Sequence, residues 1–153
     1  MKTVQAVAIL AALISISPAC AASGDLDPAS AKALRDYTLS MDKVNAMQAT
    51  MDDAKKDPAA SRHMQHSGDS SKTLAESEAK LAADPQAVAL FRKHGLTVHD
   101  VVVMPFVLMD AGMAVQYPSA AAKLSDRMSP AQVAFYKAHQ AELKKQSWLF
   151  GQE

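Results

Sequence analysis

The chain has 153 residues, 16 Lys and Arg against 16 Asp and Glu, 49% hydrophobic residues and 5% aromatics. Zero net charge without a basic cluster argues against nucleic acid as a partner, because phosphate binding needs concentrated Lys and Arg. A single Cys excludes an intrachain disulfide and any CxxC metal or haem-attachment site, while abundant Ala with few aromatics favours helices over a β-sandwich.

Residues 1–21 read as a cleaved signal peptide. Lys2 supplies the charged start, Val4 to Ile16 is an apolar run too short to span a bilayer comfortably, and Pro18 breaks it ahead of the small residues Ala19-Cys20-Ala21. Cleavage after Ala21 leaves a mature chain of 22–153, periplasmic or secreted, with no thiol and no expected transmembrane span. The rival is a lipid anchor at Cys20, disfavoured because Ser17 stands where a lipoprotein signal wants a branched apolar residue.

The mature chain reads as one all-α domain, a bundle of four main helices plus one or two short ones. Asp27-Pro28 starts a long helix to about Lys56, along which Leu34, Tyr37, Met41, Val44, Gln48 and Met51 draw a seam at alternating three- and four-residue steps. The polar stretch at about 58–72 is expected to be a flexible loop. Thr73 and Glu76 fit a capping box opening a modest helix to Ala83, and Asp84-Pro85 restarts the chain toward a stop at His94-Gly95.

Thr97 and Asp100 form the next capping box, with Leu96 placed to staple onto Val101. The helix that follows is apolar on all sides from Val101 to Val115 apart from Asp110, so it should be the buried centre of the fold, with Pro105 kinking it. Tyr117-Pro118 ends it, and Ser119 to Arg127 suggests a short helix. Ser129-Pro130-Ala131-Gln132 opens the last main helix, with Phe135, Tyr136, His139 and Leu143 facing inward. The tail Trp148-Leu149-Phe150 should fold back onto the core.

Three groups could carry chemistry. Met47 with Met51, and Met109 with Met113, are thioether pairs one turn apart that could converge on a soft ion such as Cu(I). Methionine filling gaps in an Ala-rich core gives the same spacing. His63, Met64 and His66 place two imidazoles and a thioether within four loop residues, a pattern that can wrap copper or merely decorate a solvated linker. Asp110 needs a partner because an unpaired buried charge is costly, and His139 or a Tyr hydroxyl (Tyr37 or Tyr136) could supply one. Motifs for serine hydrolases, zinc proteases and phosphate loops are missing from the sequence.

FRKHGLTVHDVVVMPFVLMDAGMA, followed by SPAQVAFYKAHQAEL, resembles stretches of small, exported, uncharacterised all-helical proteins of Gram-negative bacteria. The resemblance covers the C-terminal half and implies a helical fold and export, with no activity and no residue role. The expectation is an exported, non-enzymatic binding or interaction module. The alternative is a protein handling copper or another soft metal through its His and Met residues.

Overall fold

The computed structural model describes residues 26–57 and 71–150, and every regular element in them is a helix. The expected signal peptide with Cys20, and His63, Met64 and His66 of the expected loop, lie outside the described residues.

Helix α1 spans Pro28–Asp36. Asp27 caps it by accepting from Ser30 N at 3.0 Å, and Pro28 fills the first position, where no N–H is needed. The single long helix expected to Lys56 is in fact two. The chain turns extended at Tyr37, and Ser40 caps a second helix, α2, over Met41–Lys56 by accepting from Lys43 N. The apolar rhythm runs through the break, since Leu34, Tyr37, Leu39 and Val44 are all buried. What interrupts the helix is tertiary: the Gln132 side chain bonds the carbonyls of Leu34 and Tyr37.

Helix α3 covers Leu74–Ala82. Thr73 caps it as expected, but the Glu76 carboxylate accepts from Lys72 N rather than Thr73 N, shifting the second half of the box by one residue. Helix α4, Pro85–Lys93, is capped by Asp84, which accepts from both Gln86 N and Ala87 N. It ends in a Schellman turn: Gly95 takes φ +75°, with Leu96 N bonded to Phe91 O and Gly95 N to Arg92 O.

Helix α5, Val98–Gln116, opens with the expected Thr97–Asp100 capping box. A short helix α6, Pro118–Ala121, passes into a 3₁₀ turn at Ala122–Leu124. Helix α7, Pro130–Leu143, opens with the Ser129–Gln132 capping box, and α8 covers Ser147–Phe150.

Helices α1, α3, α4, α6 and α7 all pack on α5, and α8 packs on α2. Val103, Met104, Val107, Leu108 and Ala111 of α5 are buried at 1% exposure or less. By length and composition α5 could cross a membrane, yet half of its most apolar 18-residue window is buried within the protein. The remaining side departs from expectation: Pro105, Phe106 and Met113 are only partly covered, and Met109 is 43% exposed. The segment read as dry on every side therefore has one open side.

Candidate functional site

The open side of α5 forms the floor of a cleft of about 250 Å³. Phe106, Met109 and Met113 line it one turn apart, because residues three and four apart share a helix face. Leu149 and Tyr136 close it from α8 and α7, and the Gln116 amide stands at its end. The expected return of the Trp148-Leu149 tail is observed, with both side chains packed against the core. The tail is held by Gln48 Oε1, which accepts from Ser147 N at 3.0 Å, and by Gln146 Nε2, which donates to Asn45 Oδ1.

Tyr136 lies against α5 because residue 112 has no side chain. A Cβ on Gly112 would come within 3.0 Å of Cζ and of the hydroxyl of Tyr136. The ring is 2% exposed, and burial raises the pKa of its phenol, so it stays protonated.

Phe106 and Met109 also border a smaller crevice of about 40 Å³ whose wall carries Asp110 and Arg127. Here the structure corrects the expected pairing. Asp110 is paired not with His139 but with Arg127, whose Nε and an Nη stand 2.8 and 3.0 Å from its two carboxylate oxygens. Nη2 donates a hydrogen bond to Oδ1, while Nε lies close to Oδ2 without hydrogen-bond geometry, so the ion pair offsets the burial of both charges in part. Burial pushes the Asp110 carboxyl above its usual range, and the guanidinium pulls it back. His139 instead lies 3.1 Å from Glu142 and against the Phe135 ring, on the half-exposed side of α7.

A second buried carboxylate, Asp100, gathers four donors. Thr97 N and Thr97 Oγ1 lie at 2.9 and 2.6 Å from one oxygen, and the Tyr37 hydroxyl and Lys43 Nζ at 2.8 and 2.7 Å from the other. Burial alone would raise its pKa, but these donors outweigh it and hold the carboxyl well below the usual range. The same burial, with the bond to Asp100, raises the Tyr37 phenol far above its ordinary value. This hub joins the end of α1, the first turn of α2 and the start of α5, which is a structural task.

On the surface, Asp53 meets Lys93, His94 and Lys56 and is held well below the usual carboxylate range by them. Asp53 and His94 are half-buried and the two lysines exposed, so solvent screens much of the cluster's attraction. His99 bonds Glu78 at 2.8 Å.

The methionine pairs part company. Met47 and Met51 are buried in the core on α2, whereas Met109 and Met113 share the cleft. Among the described residues, no three His, Cys, Asp or Glu side chains gather closely enough to hold a metal ion. Arg127 and Gly112 were missed from sequence: Arg127 read only as the end of a short helix, and Gly112 lay unremarked within the apolar run. A Gly standing between the two methionines of a thioether pair was the available signal. Comparison with family models, with curated proteins and with solved structures finds no match for the chain.

Proposed function

We propose that this chain is an exported, non-enzymatic binding module: a helical bundle delivered to the periplasm or beyond after cleavage near Ala21, which takes its ligand in the cleft beside α5. The cleft is the observation that carries the reading. A helix this apolar would be expected to bury its whole circumference, and an apolar hollow left open beside it is the common form of a small-molecule site. Export is supported by the charged, apolar and small-residue order of residues 1–21 and by the resemblance of the C-terminal half to exported helical proteins. The side chains lining the cleft include no nucleophile beside a base, in keeping with binding rather than turnover.

Titration of the purified chain with the uncharged dye N-phenyl-1-naphthylamine, whose phenyl ring is of a size to enter the open cleft, tests the site. Saturable fluorescence enhancement is expected, and Met113→Glu, which places a charge in the cleft, should abolish it with helicity unchanged. Binding that ignores this substitution would refute the cleft as the site. The intact mass of the mature protein tests export: a start at Ala22 supports the cleaved form, and a lipid-modified Cys20 replaces it with a membrane-tethered one.

A second reading, copper or other soft-metal handling, draws on Met109 and Met113 lining one cleft and on His63, Met64 and His66 in the sequence. Calorimetric titration with Cu(I) and Cu(II) tests it. Affinity lost on joint His63→Ala and His66→Ala substitution supports the loop as ligand, and affinity unchanged removes it.

A further inference from the structure

The chemistry of the cleft wall narrows what it can hold. Apart from Tyr136, none of its lining side chains ionises, so it offers no cation to a carboxylate or phosphate and no carboxylate to an amine. A charged ligand would lose its hydration there without compensation. The Asp110–Arg127 pair lies in the neighbouring crevice, where the two charges face each other.

Besides the exposed Gln116 amide, one polar group lines the cleft. The Tyr136 side chain is 2% exposed and lines the cavity, and its hydroxyl has no hydrogen-bond partner among the described residues. The oxygen is not among the fully enclosed unpartnered atoms of the fold, so it is reached from the cleft, where a ligand acceptor can replace the water that would otherwise take its hydrogen bond. Gly112 makes this placement possible, since a Cβ there would meet the hydroxyl end of the ring at 3.0 Å. Because burial disfavours the phenolate, the hydroxyl is a donor across the physiological range. Around it the walls are Phe106 and Leu149 and the two thioethers of Met109 and Met113, whose flexible, polarisable side chains adapt to varied apolar shapes. The hollow of about 250 Å³ has room for a ligand built on one aromatic ring.

We propose that the cleft binds a small uncharged molecule with an apolar body and one oxygen acceptor, a ketone, aldehyde or alcohol, which receives a hydrogen bond from the Tyr136 hydroxyl. The proposal rests on the cleft being the binding site and adds the chemical class of its ligand.

The test uses three probes of matched size: acetophenone (uncharged, with an acceptor), ethylbenzene (uncharged, without one) and benzoate (charged). Each is titrated into protein carrying ¹³C-methyl methionine, and the Met109 and Met113 methyl signals are followed. Acetophenone should shift both saturably, and benzoate at pH 7 should bind at least about tenfold more weakly. Tyr136→Phe should weaken acetophenone about three- to tenfold, the range expected for one hydrogen bond, while leaving ethylbenzene unchanged.

Benzoate binding as tightly as acetophenone, or a Tyr136→Phe variant that keeps the wild-type ratio of acetophenone to ethylbenzene, would overturn the proposal. So would methyl shifts driven by protein concentration alone, which would make a second copy of the chain the occupant. If the dye binds in a Met113-dependent way and the probes fail, only the ligand class falls. If the dye shows no such dependence, the cleft falls with it.

Discussion

The side-chain amide of Gln132 stands 2.7 Å from the carbonyl oxygen of Leu34, across 98 residues of chain. The same nitrogen reaches Tyr37 O at 2.8 Å, while Gln132 Oε1 accepts from Ser129 N to complete the α7 capping box. One side chain thus starts one helix and finishes another. It supplies the donor that the last carbonyls of α1 lose when the helix stops.

Gln132→Ala should therefore lower stability by about 2–3 kcal/mol, because carbonyls buried in the fold are left without partners. Gln132→Glu should cost more, since it points carboxylate oxygens at those carbonyls. Urea unfolding followed by circular dichroism measures both, and a loss below about 0.5 kcal/mol for the alanine variant would contradict the role.

Arg127→Met should leave the Asp110 carboxylate, 3% exposed, without its partner and cost about 3–5 kcal/mol near pH 7. The deficit should shrink in acid. The Asp110 pKa is already raised by burial, so the folded state favours its protonated form, and protonated Asp110 no longer needs the guanidinium. Paired unfolding curves at pH 7 and pH 4 read the difference, and an equal deficit at both would refute it.

Acid sensitivity should come from the opposite kind of carboxylate. Asp100 and Asp53 have folded-state pKa values below the ordinary 3.8, so the unfolded chain binds more protons in acid. Their stabilisation is full above about pH 5 and is lost as pH falls through 3.8 toward the folded values. Asp100→Asn should lower stability at pH 7 by about 2 kcal/mol, through the loss of charge-assisted bonds. It should also flatten the decline between pH 5 and pH 2, which thermal melts across that window would record.

Gly112→Ala tests the close approach of α7 to α5. In an open helix the exchange would stabilise by up to about 1 kcal/mol. Here the new Cβ would crowd the Tyr136 ring at 3.0 Å, so a net loss of about 1–2 kcal/mol is expected. Adding Tyr136→Leu should recover part of the Gly112→Ala loss. A melting temperature above wild type for Gly112→Ala would show that the ring moves aside freely.

Helix starts were largely legible in the sequence, because capping is local. Asp27-Pro28, Thr97 with Asp100 and Ser129 with Gln132 all begin helices where their side-chain chemistry says they should. The break at 37–40 was not legible. Tyr37 and Met41 continue the apolar seam, no Gly or Pro marks the turn, and the groups that stabilise it, Gln132 and Asp100, are distant in sequence. The need of Asp110 for a partner could be read from its apolar neighbours, but the partners suggested there were His139, Tyr37 and Tyr136, and Arg127 comes within reach only once the chain after α6 is placed. The cleft was invisible for a plainer reason: Phe106, Met109 and Met113 look the same in sequence whether a neighbouring helix covers them or not.

The reach of Gln132 back to Leu34 and Tyr37, and of Gln146 and Ser147 back to Asn45 and Gln48, spans 95 to 101 residues each. Ribosomes release residues in order, so α1 and α2 emerge long before the groups that fasten them exist. The bonds that Asp100 makes to Tyr37 and Lys43 can close once α5 has begun to emerge, whereas those from Gln132, Gln146 and Ser147 must wait for nearly the whole chain, so α1 and α2 are fastened in two instalments.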